Sequence, residues 1–301
     1  MCSIDSRING SELSDDPACR ELSDIDWQWK RQVAHSFEAA AESYEQHSHV
    51  QRQAADSLFK LVSESVVPDS IDTALEIGCG TGYLTRLMLP QYKESNWTVT
   101  DVSPKMLELC RSHLDQQSGN ESQISFAELD GEFPDLSLAH DAEFDLICSN
   151  LAFQWFVDLD SAISRILNRV RAGGWLFFTT LATDNFSQVI KAYPCLAGRI
   201  NQPISVTSTC DKLSDDFEFM TSLLKVESSF DDLSAFLNSL KAIGAGVSRY
   251  AGSREPSSSD PELRKAIRRS KLANEPVVAD YQIRLVAIRK IGSADGIGRG
   301  G

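Results

Sequence analysis

The sequence predicts an α/β fold built on a doubly wound, mostly parallel sheet, and three observations lead to this prediction. Short runs of β-branched and aromatic residues alternate with helical segments through the middle of the chain. The first such run leads directly into a turn with alternating glycines, Gly78, Gly80 and Gly82. In doubly wound folds, a turn of this kind lies at the carboxyl edge of the sheet, where it approaches a ligand. The chain has 301 residues, of which 42% are hydrophobic, so it can bury the core of one large domain.

The residues before the first strand predict a tail and two helices. Residues 1–26 carry seven acidic side chains against two arginines and few large apolar residues, so we expect a disordered acidic tail. Between Trp27 and Val67, apolar residues recur at intervals of three and four, as they do along the buried face of a helix. We therefore expect a single domain over residues 27–290 that opens with two helices.

The strands and helices of the sheet follow in alternation. Five strands are predicted, at residues 73–77, 97–100, 124–127, 144–149 and 175–181. The helices between them are expected to begin near Tyr83, Pro104 and Leu159.

After Thr183 the alternation stops. Further helices are predicted at residues 186–196, 212–223, 233–243 and 261–272, and further strands at 224–229 and 281–289. The sheet would then have seven strands, with a helical lid of about residues 231–275 inserted before the last one. Residues 291–301 are expected to be a flexible tail because of their composition.

Charge and composition argue against several classes of function. The net charge is −14, which disfavours nucleic acid and anionic membrane surfaces as partners. No run of apolar residues has the length of a membrane span, and the first residues do not resemble a targeting signal, so we expect a cytoplasmic protein. The seven cysteines and five histidines show no metal-binding spacing, and we expect no metal site.

Acidic residues stand at the ends of three successive predicted strands. Glu76 lies two residues before the first glycine of the turn, Asp101 ends the second strand, and Asp130 follows the third. The turn reads G-x-G-x-G, which is neither a P-loop nor the G-x-G-x-x-G of a dinucleotide site. Carboxylates at this edge of a sheet can accept hydrogen bonds from the hydroxyl and amino groups of a nucleoside.

This combination resembles the first motifs of class I S-adenosylmethionine-dependent methyltransferases, which have a Rossmann-like sheet. The resemblance implies S-adenosyl-L-methionine as cofactor, with Glu76 facing its ammonium, Asp101 its ribose and Asp130 its adenine amino group. Met106 would lie against the adenine. The full set of predicted cofactor residues is Glu76, Gly78, Gly80, Gly82, Asp101, Val102, Met106, Asp130, Gly131, Asn150 and Leu151.

A narrower resemblance comes from segments outside the glycine turn. Residues 149–155 (Ser-Asn-Leu-Ala-Phe-Gln-Trp), 39–47 and 239–245 are similar to those of the malonyl-[acyl-carrier-protein] O-methyltransferases of biotin synthesis. The resemblance extends from about Val33 to Ile288. It implies methylation of the free carboxylate of a malonyl group on acyl carrier protein, and it leaves a small free carboxylic acid as an alternative acceptor. A methyltransferase-fold assembly factor without this activity is a further alternative.

Three residues are candidates for catalysis. A carboxylate acceptor is already ionised at neutral pH and needs no general base. It does need a group that recognises its charge, for which Lys241 and Arg165 are the candidates. Tyr44, on the helices before the first strand, is predicted near the sulfonium because a buried tyrosine hydroxyl needs a polar partner.

One basic segment stands out in this acidic chain. Five cations and no acid occur between residues 264 and 271, at spacings that put them on one face of a helix. We expect this face to bind an anionic partner, which the resemblance implies is acyl carrier protein. The five residues are Arg264, Lys265, Arg268, Arg269 and Lys271.

Overall fold

A computed structural model describes residues 22–115, 124–136, 138–139, 141–201, 203, 205–247 and 260–292. In this part of the chain, seven strands form one sheet in the order β3-β2-β1-β4-β5-β7-β6. The first five pair in parallel, and β7 is antiparallel to both of its neighbours. The strands are β1 Thr73–Ile77, β2 Asn96–Asp101, β3 Ile124–Glu128, β4 Phe144–Asn150, β5 Val170–Leu181, β6 Phe217–Phe230 and β7 Val277–Lys290. The predicted fold class is confirmed.

Helices cover both faces of the sheet, as a doubly wound fold requires. They are α1 Asp24–His47, α2 His49–Ser65, α3 Tyr83–Gln91, α4 Pro104–Asp115, α5 Leu159–Asn168, α6 Ser187–Ala192, α7 Val206–Cys210, α8 Leu233–Ala242 and α9 Pro261–Ala273. Apolar residues of α2, α3 and α4 pack on one face together with Ala74 of β1. Those of α5 and α7 pack on the other face with Leu75 and Ile77. The side chains of β1 therefore alternate between two buried layers.

The position of the site follows from the strand order. The chain runs from β1 outward to β3 and then returns to β4 on the other side of β1. The connections that leave the carboxyl ends of β1 and β4 therefore diverge to opposite faces and open a crevice between them. Ligands of doubly wound proteins bind in this crevice.

The predicted tail is wrong at its carboxyl end. Helix α1 begins at Asp24, and the hydroxyl of Ser23 accepts a hydrogen bond from the backbone of Asp26 while the Asp26 carboxylate accepts one from the backbone of Ser23. This reciprocal cap satisfies backbone groups that a helix start would otherwise leave unpaired, which is why the helix includes Asp24 and Asp26. Residues 1–21 of the predicted tail and residues 293–301 of the other one lie outside the described residues.

The helix predicted at residues 212–223 is also wrong. Strand β6 begins at Phe217 and pairs with β7 at fourteen successive positions, so residues 217–223 are extended. As an edge strand, β6 leaves most of its side chains partly or fully exposed. Its sequence therefore lacks the alternation that marks a half-buried strand, and pairing with β7 decides its conformation.

The insert before the last strand contains helices α8 and α9, which fall within the predicted lid. Helix α8 is joined to α1 through hydrogen bonds from the hydroxyls of Ser36 and Ser43 to the carbonyl oxygens of Gly244 and Ala242, each 2.9 Å long. Residues 248–259 of the predicted lid lie outside the described residues. None of the described helices combines the length and the apolar character that crossing a membrane requires.

Candidate active site

A cavity of about 730 Å³ lies over the carboxyl ends of β1 to β4, under helix α1. Nine of the eleven predicted cofactor residues meet here together with Tyr44, and the ten that line the cavity are Tyr44, Gly78, Gly80, Asp101, Val102, Met106, Asp130, Gly131, Asn150 and Leu151. The structure thus brings together residues that are up to 107 positions apart in the sequence, from Tyr44 to Leu151.

The glycine turn allows the backbone to form the floor of this cavity. Gly78 and Gly80 have positive φ angles of 72° and 54°, which other residues rarely adopt. A Cβ atom at Gly78 would lie only 2.7 Å from the Cβ of Ala152, which follows β4. Any side chain at this position would therefore push the β1 and β4 connections apart.

Two members of the predicted set lie outside the cavity lining. Gly82 immediately precedes α3, and a Cβ there would lie 2.6 Å from the sulfur of Cys110, so this glycine lets α3 approach α4. Glu76 is buried beneath the turn, and its Oε2 has no hydrogen-bond partner. Burial, together with the charge of Asp101, raises the pKa of Glu76 to about 7.

Asp101 is held rigidly at the cavity wall by backbone groups. Its Oδ2 accepts a hydrogen bond of 2.9 Å from the Gly80 N–H, and its Oδ1 accepts one of 2.9 Å from the Ser103 N–H. Burial raises the pKa of Asp101 to about 6, although these hydrogen bonds favour the charged form. The carboxylate therefore couples the glycine turn to the start of α4.

A buried lysine that the sequence analysis missed lies at the other end of the cavity. The Nζ of Lys30 is 3.0 Å from both carboxylate oxygens of Asp130 and 2.5 Å from Oε2 of Glu132. Burial alone would lower the pKa of Lys30, but the charges of Asp130 and Glu132 hold it above its ordinary value. Only Oδ1 of Asp130 accepts a hydrogen bond in good geometry, so Oδ2 stays unsatisfied beside the cavity.

The environment of Lys30 could have been read from its spacing. Lys30, Val33 and Phe37 follow one another at intervals of three and four on α1, and all three line the cavity. A lysine in an apolar stripe is buried only when it is paired. Glu132 is its fully buried partner, and it also accepts hydrogen bonds from the backbone N–H groups of Val157 and Asp158.

Helix α1 forms the roof, and Tyr44 is the roof residue nearest the glycine turn. Its ring approaches to 3.9 Å from the position a Cβ would take at Gly80. Burial and the neighbouring Asp101 raise the pKa of Tyr44 well above its ordinary value, so its hydroxyl stays protonated. The adjacent Glu45 fixes the end of α1, because its carboxylate is 3.1 Å from the guanidinium of Arg86 and accepts a hydrogen bond from the Thr81 hydroxyl.

A second chamber, of about 590 Å³, opens beside the first. The two chambers share the lining residues Phe37, Tyr44, Leu151 and Trp155. The polar side chains of the second chamber are neutral: Tyr44, Gln51, Gln154, Asn201 and Tyr281. Among the described residues that line it, none carries a formal charge.

Leu151, which separates the two chambers, has a strained backbone. Its φ angle is 52°, a left-handed value that is uncommon for a leucine. Thr179 holds this conformation, since its carbonyl and hydroxyl oxygens both accept from the Leu151 N–H, and its hydroxyl donates to Oδ1 of Asn150 at 2.7 Å. The Asn150 amide in turn donates to the carbonyl of Gln51 at 3.0 Å. Backbone strain of this kind is concentrated at functional sites.

Neither predicted cation enters these two chambers. The Arg165 guanidinium lies 5.0 Å from the centre of the Phe133 ring and 3.4 Å from the carbonyl oxygen of Glu132, on the far side of the Lys30 cluster. Lys241 is exposed and lines a separate cavity between α8 and α9. Spacing within the sequence could not distinguish these positions, because both residues belong to helices whose docking on the sheet decides where the charge points.

The basic helix has the orientation that its pattern predicts. Arg264, Lys265, Arg268, Arg269 and Lys271 of α9 are all exposed, and Leu263 is buried. Arg269 also donates a hydrogen bond of 2.9 Å to the carbonyl oxygen of Ala192. In the part of the chain that the structure describes, no three histidine, cysteine or acidic side chains are grouped to hold a metal ion.

Comparisons with known proteins agree with this architecture. Residues 75–176 match a protein-family model described as a methyltransferase domain. Over 219 residues the chain is 35% identical to the biotin biosynthesis bifunctional protein BioCD of Bordetella avium, with 73% of this chain and 45% of that protein covered. It is 34% identical over 218 residues to the malonyl-[acyl-carrier protein] O-methyltransferase of Pseudescherichia vulneris, with 72% of this chain and 80% of the relative covered.

One solved structure supports the fold alone. The YcgJ protein of Bacillus subtilis superposes with a TM-score of 0.55 at 15% sequence identity, and the match covers 79% of this chain and 100% of that protein.

Proposed function

Because the chain belongs to the malonyl-[acyl-carrier protein] O-methyltransferase family, we propose that it transfers a methyl group from S-adenosylmethionine to the free carboxylate of malonyl-acyl carrier protein in biotin synthesis. The observation that carries this proposal is the pair of adjoining chambers that meet at Tyr44 and Leu151. One chamber has the polar groups that a nucleoside needs. Among the described residues that line the other, there is no catalytic base of the kind that a phenol or an amine would require.

The residues of the first chamber fit the cofactor. The side-chain-free backbone at Gly78 and Gly80 accommodates its amino-acid end, and the Asp101 carboxylate accepts hydrogen bonds from its ribose hydroxyls. At the other end, the unsatisfied Oδ2 of Asp130 is an acceptor for the adenine amino group. Val102 and Met106 supply apolar contacts to the adenine ring. The contact between Glu76 and the ammonium stays a prediction, since this carboxyl group lies beneath the turn.

The bound cofactor supplies an electrophilic methyl group on a sulfonium. The chain's own contribution is to position the acceptor for in-line displacement, which is a matter of proximity and alignment. A malonyl carboxylate is ionised at neutral pH, so no side chain has to remove a proton from it. The Tyr44 hydroxyl, which its raised pKa keeps protonated, is available at the junction of the chambers to donate a hydrogen bond to the acceptor.

Neutral donors suit this reaction better than a cation in direct contact. A guanidinium or ammonium would hold the carboxylate strongly and reduce its nucleophilicity, whereas amide and hydroxyl donors orient it at less cost to reactivity. Gln51 lines this chamber, and the NH2 end of its side-chain amide can donate to a carboxylate. The charge-free lining also disfavours a small free acid that carries a second carboxylate.

The basic face of α9 is the proposed docking surface for acyl carrier protein. Its five exposed cations form a positive region on a protein whose net charge is −14, and carrier proteins are acidic. We expect Arg264→Glu with Arg268→Glu to raise KM for the carrier-bound acceptor several-fold and to flatten its salt dependence. Lys93→Glu, in the exposed turn between α3 and β2, is the control.

Transfer of a labelled methyl group to alternative acceptors tests the function. We expect an alkali-labile methyl ester on malonyl-acyl carrier protein, and little or no product from a small tricarboxylic acid such as aconitate. Asp101→Ala should abolish most of the transfer and weaken binding of S-adenosylhomocysteine by about 1.5–3 kcal/mol in calorimetry. Efficient methylation of the free acid, or cofactor binding without transfer to any carboxylate, would overturn the proposal.

A further inference from the structure

A third cavity, of about 850 Å³, lies between helices α8 and α9. Its walls are formed by Leu237, Asn238 and Lys241 of α8, by Leu263 and Ile267 of α9, and by Arg199. Apolar side chains form its interior, and the two cations are the only formal charges among its described lining residues. The reaction proposed above does not use this space.

The third cavity adjoins the second chamber. The two share Ile200, Leu240 and Ala245 as lining residues. The second chamber in turn shares four lining residues with the cofactor cavity, whereas the third cavity and the cofactor cavity have none in common. The three spaces are therefore arranged in series, from the helix that carries the basic face to the glycine turn.

The charges along this series are unequally distributed. Arg199 forms an ion pair with Asp260, the residue that caps α9, so its charge is compensated. Lys241 is exposed, and its ammonium makes no ion pair or hydrogen bond with another described residue, whereas its backbone carbonyl oxygen accepts one from the Gly244 N–H. A Cβ at Gly246 would lie 2.9 Å from the Cγ of Lys241, so the backbone there packs closely on the aliphatic stem of the lysine. The unpaired ammonium of Lys241 thus lies at the outermost of the three spaces, whereas the described lining of the middle one is neutral.

We propose that the third cavity receives the phosphopantetheine arm of the acceptor and that Lys241 binds the phosphate of this arm. This inference rests on the proposed function. The arm is a narrow chain with an anionic phosphodiester at one end, neutral amides along its length and the malonyl thioester at the other. The series of cavities has the same order, with a cation outside, neutral polar groups in the middle and the reaction centre inside. The basic face of α9 lies beside the outer end, where the carrier protein itself must be.

This assignment gives Lys241 a role different from the one that the sequence suggested. A lysine that recognised the malonyl carboxylate would have to reach the chamber at Tyr44, but Lys241 lines only the outermost of the three cavities. The two roles predict opposite responses to the removal of the phosphate from the acceptor.

Kinetics of Lys241→Met on three acceptors separate the roles. The acceptors are malonyl-acyl carrier protein, malonyl-phosphopantetheine and malonyl-pantetheine, which lacks the phosphate. We expect KM to rise about tenfold for the first two, with kcat retained, because one charge-assisted contact is lost. KM for malonyl-pantetheine should stay as in the wild type. Equal losses on all three acceptors, or no loss on any, would overturn the assignment.

A second variant tests the route itself. Asn238→Trp puts a large side chain at an exposed wall position of the third cavity, where it need not disturb the core. It should lower kcat/KM for all three pantetheine acceptors by at least about tenfold while S-adenosylhomocysteine affinity is unchanged. Lys93→Met and Lys93→Trp are the matched surface controls. Wild-type kinetics in Asn238→Trp would show that the arm takes another path, whereas failure of the proposed function would appear as a wild-type protein that methylates no malonyl thioester at all.

Discussion

Replacing Glu76 by glutamine should remove a pH-dependent loss of folding stability from the cofactor-free protein. Glu76 is 1% exposed, and one of its carboxylate oxygens has no hydrogen-bond partner. Ionisation of this group in the folded protein therefore places a poorly solvated charge close to the Asp101 carboxylate. Glutamine keeps the shape of the side chain and removes the charge.

The magnitude follows from the rise in the pKa of Glu76 from an ordinary value of 4.5 to about 7. Below pH 4.5 the group is protonated in both the folded and the unfolded protein, so it costs nothing. As the pH rises toward 7, the unfolded chain ionises while the folded protein keeps its proton, and the folded state loses stability relative to the variant. At about 1.4 kcal/mol for each tenfold change in the protonation equilibrium, the total is roughly 3 kcal/mol.

Urea unfolding of wild type and Glu76→Gln over a series of pH values measures this difference. The comparison cancels the titrations of groups that the Glu76 charge does not influence, and it also cancels a constant cost of burying the glutamine amide. We expect the free energy of unfolding of the variant, relative to wild type, to increase by roughly 3 kcal/mol between about pH 4.5 and pH 7 and then to level off. A difference that stays constant over this range would refute the account of Glu76 as a buried, weakly partnered carboxyl group.

Two further predictions concern the ends of the cofactor cavity. The pKa of Asp101 is raised to about 6, and only its ionised form accepts hydrogen bonds from both ribose hydroxyls. The affinity for S-adenosylhomocysteine should therefore be constant above about pH 7 and fall as the pH drops through 6, and Asp101→Asn should bind weakly at every pH. Calorimetry that finds the same affinity at pH 5 and pH 8 would contradict this. Lys30→Met leaves the Asp130 and Glu132 carboxylates buried without their counter-ion and should cost about 3–5 kcal/mol of unfolding free energy. The control is Lys60→Met, which breaks an exposed pair with Glu64 and should cost less than about 1 kcal/mol; equal effects would mean that the Lys30 pair is not structural.

The parts of the fold that the sequence predicts well are those whose local pattern and final environment agree. Strand β1 is buried on both faces, and its predicted bounds match the observed Thr73–Ile77. Helices α3, α4 and α5 begin at the predicted residues, because Gly82, Pro104 and Asp158 are start signals that act within one turn. The first half of β6 is not predicted, because its partners in β7 lie more than sixty residues later, from Phe217 paired with Lys290 to Leu223 paired with Arg284, and its outer face is open to solvent.

The same difference between local signals and distant partners explains which site residues the sequence predicts. The glycine turn and Asp101 belong to one strand-turn-helix unit and its neighbour, so a short window contains their signal. Lys30 was missed because its partners, Asp130 and Glu132, are a hundred or more residues away. Arg165 and Lys241 were assigned to the acceptor from residue type and motif position, neither of which carries information on the direction in which a helix presents its side chains.

Helix α1 forms part of both cavities, which the pattern of the strands does not predict. Phe37 and Tyr44 of this helix line both the cofactor cavity and the neighbouring chamber, so the wall between the two ligands belongs to a segment that precedes the sheet. Helix α8, in the insert after β5, is joined to α1 by the Ser36 and Ser43 hydrogen bonds and lines the chamber from the other side through Leu240. The cofactor cavity is therefore lined mainly at the ends of the strands, whereas the neighbouring chamber is lined mainly by α1, α2 and the segments between β5 and β7. Changes in α1 or in the insert can alter which acceptor fits without disturbing β1 to β4, which is why a family-level motif on the strands identifies the cofactor and says little about the acceptor.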